Sequence, residues 1–290
     1  MLRLPEEYVS ILIETALKED LGRGDITSNT LIPCELQGKA SILIKEEGVI
    51  AGIEVAKAVF LRTDPSLKTQ IQIKDGTSVK PGDEAMEVSG NVRSILSAER
   101  VALNFLQRMS GIASTTAKYV SQVQGLGVDI ADTRKTTPGL RLLEKYAVRM
   151  GGGRNHRLDL SDAILIKDNH FAALRTLGMS FKEIIAKAKS DAPSEIKIEA
   201  EATTIQEVKE ALEAGADIIM LDNMNIPDMT RAVELIAGRA EVEASGGINL
   251  NNVRAVAETG VDYISVGALT HSYKALDISL ELEPQTFVLI

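Results

Sequence analysis

The chain has 290 residues, 44% of them hydrophobic and 25% charged, with 41 Asp or Glu against 32 Lys or Arg for a formal net charge of −9. These are ordinary globular proportions that argue against disorder and leave enough chain for one large domain or two smaller ones. The acidic balance argues against general binding to nucleic acid or an anionic membrane, whose phosphates the overall field would repel, and leaves room for local basic sites that take a small anion.

From about Pro5 to Glu19, the residues Val9, Leu12, Ile13, Ala16 and Leu17 recur at helical spacing and predict an amphipathic helix. Glu14 interrupts its apolar side and no small-residue cleavage site follows, so the segment does not read as a signal peptide. No stretch approaches the roughly eighteen to twenty continuous apolar residues of a spanning helix. Gly22 and Gly24 mark a turn in DLGRGDITS, where Asp25 either bonds its own turn backbone, the preferred reading, or, with Thr27, offers a cap for the next segment. Cys34 is the single cysteine, which excludes an intramolecular disulfide or a multi-cysteine zinc site and makes a reduced, cytoplasmic setting the expectation.

Between Gly38 and Met86 short alternating segments are separated by Gly, Asp or Pro, and Thr69, Ile71 and Ile73 against Gln70 and Gln72 show the two-residue period of a half-buried strand. The helical stretch GIEVAKAVFLRT interrupts them, which predicts an α+β unit with a small antiparallel sheet packed on helices. A long helical pattern runs from about Ser94 to Gln124, with a break expected at Ser110-Gly111 and a domain boundary near Gly111 to Lys118. Arg100 sits among core-forming neighbours on that helix and, on composition alone, reads as a snorkelling surface side chain.

After Gly127, six short apolar or β-branched runs (VDIAD, AILIK, EIKIEAE, DIIMLD, EVEASGG and DYISVG) alternate with helical runs near 138–150, 180–190, 204–214, 228–237 and 250–259. That alternation predicts parallel βαβ units. An eight-stranded barrel takes about 250 residues, more than remain, so a shortened or irregular β/α barrel is expected.

Between Arg134 and Lys167 eight Lys or Arg stand against only Glu144, Asp159 and Asp162, a basic island in an acidic protein. Arg141, Lys145 and Arg149, four apart on the helix after Pro138, are expected to form one solvated polar face. Arg134, Lys135 and Lys167 instead follow the ends of apolar runs, and Arg157 lies in the glycine-rich loop GGGRNHR. Charges just beyond strand ends are the pattern of a binding site on a parallel sheet or barrel.

Read as barrel strands, the runs carry Asp132 and Arg134, Lys167, Glu201, Asp222, Ser245-Gly246-Gly247 and Gly267 to one mouth. Each also has a plainer role, as helix cap or chain punctuation, but six successive strands with complementary ends favour a shared site. Two carboxylates without His or Cys beside them suit a hard cation such as Mg2+. Gly246, Gly247 and Gly267, with helix N-termini following, offer backbone N–H groups to a phosphate, and the cations suit carboxylates or a pyrophosphate. There is no dinucleotide or P-loop glycine motif. Lys167 as a Schiff-base lysine is the sharpest competing chemistry, and a non-enzymatic barrel scaffold leaves metal-type carboxylates beside phosphate-type glycines unexplained.

The motifs DTRKTTPGLR, GGGRNHRLDLSDAILIKDNH, AERVALNFLQRMSGIAS, MLDN, EASGGIN and ETGVDYISVGALTHS together resemble the quinolinate phosphoribosyltransferases, over nearly the whole chain. The resemblance implies an N-terminal α+β sandwich over residues 1–113, an incomplete, six- to seven-stranded β/α barrel over 114–274, and a C-terminus, 275–290, that returns to the sandwich. It implies phosphoribosyl transfer from phosphoribosyl pyrophosphate to quinolinate with decarboxylation, in de novo NAD biosynthesis. It further implies a homo-oligomer, a dimer or trimer of dimers, in which Arg100 reaches a partner's quinolinate. By the same resemblance Arg134, His156, Arg157 and Lys167 form the quinolinate pocket. Lys135, Glu201 and Asp222 bind phosphoribosyl pyrophosphate, Glu201 and Asp222 with its Mg2+, although Glu199 shares the strand face of Glu201. Ser245, Gly246, Gly247, Gly267 and His271 surround the 5-phosphate. Lys135, Lys167, Glu201 and Asp222 are the expected catalytic residues. A paralogous barrel acting on nicotinate is the nearest rival, and the number of cations favours the dicarboxylate.

Overall fold

A computed structural model describes residues 4–290. The described chain forms two compact units, one of residues 4–117, 138–152 and 273–290 and one of residues 118–137 and 153–272.

In the first unit the helix Glu6–Leu21 buries Ile13 and Leu17, and Asp25 caps the helix Ile26–Leu31 by accepting from the Ser28 N–H at 2.9 Å. The strand Leu36–Ile44 pairs antiparallel with Glu84–Asn91, which pairs with Lys68–Ile71. On its other edge Leu36–Ile44 pairs with Ile278–Leu282, so the C-terminal segment completes this sheet. Ala40, Ile42 and Ile44 alternate inward and are fully buried.

The long helix runs unbroken from Val92 to Gln122, without the break expected at Ser110-Gly111. Small residues there permit close packing rather than a turn. The Ser110 and Ser114 hydroxyls accept from the Ala51 and Val49 amides at 3.0 and 2.8 Å, and a Cβ on Gly111 would overlap the Lys274 carbonyl. The helix Arg141–Met150 belongs to this unit as well, and its expected solvated basic face is found only in part: Arg149 is exposed and Arg141 half-buried, but Lys145 is buried beside Glu144, with which Arg108 pairs. The four-residue spacing of the cations carries no information about which of them the fold encloses.

In the second unit six strands, Asp129–Ala131, Ile164–Ile166, Ile198–Ala202, Ile218–Asp222, Glu241–Ser245 and Tyr263–Ser265, form one parallel sheet. The first pairs with the last and the others follow in reverse chain order, so the sheet is an open path from Asp129–Ala131 to Ile164–Ile166. At the open side Arg154 bridges to Ala131 and stacks its guanidinium 4.3 Å over the Tyr263 ring. Helices Phe181–Asp191, Ile205–Glu213, Ile226–Ile236 and Val253–Ala257 join successive strands, the last shorter than expected. Their starts follow capping chemistry: Ser180, Thr204 and Asn225 accept from the backbone N–H three residues on. An additional helix, Asp168–Arg175, follows Lys167 directly. Among the described residues no helix is long and apolar enough to cross a membrane.

Candidate active site at the strand ends of the second unit

Parallel pairing sets the site's levels. Glu201 stands opposite Met220, which stands opposite Glu243, and Asp222 stands opposite Ser245. Glu199 and Glu201 are two apart and share one face, but they differ in setting: Glu199 is 1% exposed, while Glu201 is half-buried beside Asp222 and Lys167.

Below the mouth, His156 is anchored on all sides. Its Nε2 lies 3.0 Å from Glu243 Oε2 and 3.4 Å from Glu199 Oε2, and its backbone N–H donates to buried Asp132 Oδ1 at 2.9 Å. Asn155 Nδ2 donates to the other Asp132 oxygen at 2.6 Å. Burial opposes a charge on His156, but hydrogen bonds and charge from Glu199 and Glu243 outweigh it and raise its pKa to about 10. The Arg157 amide, which donates to Nδ1 at 2.8 Å, works against the cation, and one amide dipole is weaker than two carboxylates. Burial likewise opposes ionisation of Glu243, and the bond to His156 holds its carboxyl below the usual range. Burial and the Glu243 charge push Glu199 up to about 7. Ligand atoms of the three groups lie within 4.8 Å of one another, a metal-compatible set in which His156 Nε2 already has carboxylate partners.

At the open side of the sheet the cations gather. Arg157 Nη1 donates to Ala163 O at 3.1 Å, and its pKa is lowered by burial and by the neighbouring Arg134 charge. The Nε of Arg134 is buried without a hydrogen-bond partner. Two neighbouring guanidiniums, one with an unmet buried donor, leave a deficit that an anion with several oxygens would fill. Lys167 is exposed at the start of the helix Asp168–Arg175. That wet position is not the desolvated pocket that activates a Schiff-base lysine.

Across the mouth, burial and the Asp222 charge push Glu201 up to about 7, against the opposing pull of Lys167. Its Oε2 is buried without a hydrogen-bond partner. Two adjacent, mutually repelling carboxylates with an unfilled oxygen have the donor chemistry of a hard divalent cation. Next to them Gly246 and Gly247 turn with φ of 87° and 64°. The helix after this turn begins only at Val253, so no helix N-terminus follows these glycines as expected; their own amides are what the turn presents. Gly267 opens a second cradle: a Cβ there would lie 3.0 Å from His271 Nε2 and 3.1 Å from Lys135 Cδ. Thr270 Oγ1 donates to the Lys135 carbonyl at 2.9 Å and ties the two segments together.

The structure therefore groups Arg134 with Arg157, His156 with Glu199 and Glu243, Lys167 with Glu201 and Asp222, and Lys135 with Gly267 and His271. Arg100 is exposed on the long helix in the first unit. Glu243 and Asn223 were missed from the sequence, and Asp132, expected at the mouth, is instead fully buried, accepting from Asn155 and the His156 amide. The signal for Glu243 was available: alternating glutamates in IEAEA and EVEAS, on strands covered by helices, need partners inside the barrel.

The family profile for the C-terminal domain of quinolinate phosphoribosyl transferase matches residues 112–281, and that for its N-terminal domain matches residues 25–110. Quinolinate phosphoribosyltransferase [decarboxylating] 2, mitochondrial, of Nicotiana glauca is 43% identical over 94% of this chain and 82% of its own length. The probable nicotinate-nucleotide pyrophosphorylase [carboxylating] of Bacillus subtilis is 44% identical over 91% of this chain and 90% of its own. The crystal structure of NadC from Streptococcus pyogenes superposes with a TM-score of 0.92 at 45% identity, covering 99% of both chains.

Proposed function

The chain belongs to the quinolinate phosphoribosyltransferase family, and from that premise we propose how its residues divide the reaction. The enzyme is a decarboxylating pentosyltransferase of de novo NAD biosynthesis. It transfers phosphoribosyl from phosphoribosyl pyrophosphate to quinolinate, giving nicotinate mononucleotide, pyrophosphate and CO2.

Arg134, Arg157 and Lys167 bind quinolinate through its two carboxylates, and His156, its ring nitrogens engaged by Glu199, Glu243 and the Arg157 amide, lines the pocket beneath them. The observation that carries this is the guanidinium couple at the sheet's open side, Arg134 beside Arg157, with Arg134 Nε buried and without a hydrogen-bond partner. Lys135, Gly267 and His271, with Ser245, Gly246 and Gly247, bind the phosphates of phosphoribosyl pyrophosphate. Glu201 and Asp222 would hold Mg2+, which neutralises charge on the leaving pyrophosphate.

Held this way, the pyridine nitrogen forms its bond to the anomeric ribose carbon as the bond from that carbon to pyrophosphate oxygen breaks. Glu201 and Asp222 face the positive charge that develops on the ribose, and Lys135 and Lys167 face the negative charge that departs. The alkylated nitrogen is cationic, so the adjacent carboxylate leaves as CO2 with its bonding electrons kept on the ring carbon beside N+, where a proton then adds. Excluding water strengthens each of these charge interactions.

Arg100 serves the quinolinate pocket of a second subunit, so the working form is a homo-oligomer, a dimer or trimer of dimers. The exposed thiol of Cys34 suits a reducing, cytoplasmic setting. Mixing Arg100→Ala with Lys167→Ala tests the shared site: activity recovered from two inactive variants supports it, and a mixture as inactive as its components rejects it.

A further inference from the structure

Asn223 directly follows Asp222 at the end of its strand, with φ of 53°. Outside glycine the left-handed region is unfavourable, and Asn is among the residues that tolerate it best. The next helix does not require this conformation, because Asn225 caps it by accepting from the Asp228 N–H at 2.9 Å. Three contacts show what the conformation achieves. The side-chain Nδ2 of Asn223 donates to Asp222 Oδ2 at 2.7 Å. Its backbone N–H donates to the Ser245 carbonyl, at the end of the neighbouring strand, at 3.0 Å. Its side-chain amide lies against the backbone of Gly246, where a Cβ would come to 2.5 Å from Asn223 Cγ and 2.8 Å from Nδ2.

We propose that Asn223 is a positioning residue that fastens the Asp222 carboxylate to the Gly246-Gly247 turn, so that the metal side and the phosphate side of the phosphoribosyl pyrophosphate site are held as one unit. The proposal rests on the assignment of Asp222 and the glycine turn made above. Left to itself, a half-buried carboxylate at a strand end rotates about its side-chain bonds. The amide bond to Oδ2 fixes its plane and leaves Oδ1 to face the ligand. The same amide requires glycine at 246, which accounts for the first glycine of the turn independently of any phosphate. Asn223 is exposed, so its bond to Asp222 adds little to folding stability, and its loss should be read in substrate binding.

Two substitutions isolate this role. Asn223→Gly accepts the left-handed backbone and removes the amide; Asn223→Asp keeps the size and replaces the donor with a charge that repels Asp222. Each should raise the KM for phosphoribosyl pyrophosphate and the Mg2+ concentration for half-maximal rate about tenfold or more, with the quinolinate KM and the melting temperature nearly unchanged. A purely structural role would lower the melting temperature and leave the KM values alone, which would overturn the proposal. Unchanged phosphoribosyl pyrophosphate and Mg2+ dependence in both variants would overturn it as well. Asp222→Asn, measured alongside, separates the premises. If Asp222→Asn uses phosphoribosyl pyrophosphate normally, the site assignment falls and this inference with it; if it fails while both Asn223 variants behave as wild type, only this inference falls.

Discussion

His156 Nε2 lies 3.0 Å from Glu243 Oε2, and the Glu243 side chain is fully buried in the barrel interior. Removing one member of such a pair strands a buried charge, which costs about 3–5 kcal/mol. His156→Ala, which leaves Glu243 and Glu199 buried side by side without the imidazole between them, should therefore lose stability of that order in a denaturant titration, and a loss below about 1 kcal/mol would contradict the pairing.

The same contact sets a pH dependence. The pKa of His156 is raised from 6.5 to about 10, so its contribution to stability is fully present below about 6.5 and is lost as pH rises through about 10. Glu243 is held low, so its contribution is present above its unfolded value and is lost on acidification. Melting temperatures followed from about pH 6 to 10 should fall more steeply at the alkaline end for wild type than for His156→Gln. Parallel curves would contradict the shift.

Glu201 carries the opposite sign to Glu243. Burial and Asp222 push its pKa up to about 7, so its charge destabilises the fold progressively as pH rises through that value. At about pH 8 without divalent cation, Glu201→Gln should melt at a higher temperature than wild type, and with Mg2+ supplied it should lose turnover by about a hundredfold or more. A lower melting temperature would show that the carboxylate is held by a partner rather than in reserve for a ligand.

Gly111 tests the packing of the first unit. A Cβ there would overlap the Lys274 carbonyl and lie 2.9 Å from Ala275 Cα, both backbone groups that cannot step aside cheaply. Gly111→Ala should destabilise by about 1–3 kcal/mol, despite the better helix propensity of alanine. A stabilised variant would contradict the close approach.

The strand ends were legible because a short apolar run followed by a charged or glycine residue carries its own position: Arg134, Lys167, Glu201, Asp222, Ser245 and Gly267 all follow or close strands as read. The features that were not legible depend on partners distant in sequence. Lys145 and Glu144 look like a solvated helix face until Arg108 is brought to Glu144. Ser110-Gly111 reads as a break because the segment this part of the helix packs against, Val49 to Ala51, lies some sixty residues earlier. Glu243 looks like the polar face of an alternating strand until His156 is folded against it from a loop. Asn223 is an ordinary loop residue by composition, and only its φ and its contacts with Asp222 and Gly246 mark it.

The central claim is that the cations at the strand ends, and not merely the fold, hold quinolinate for transfer and decarboxylation. The direct test is CO2 and nicotinate mononucleotide release from quinolinate, phosphoribosyl pyrophosphate and Mg2+, compared for wild type, Arg134→Ala and Lys167→Ala. Wild type should release equal amounts of both products and either variant none; full activity in either variant would contradict the claim.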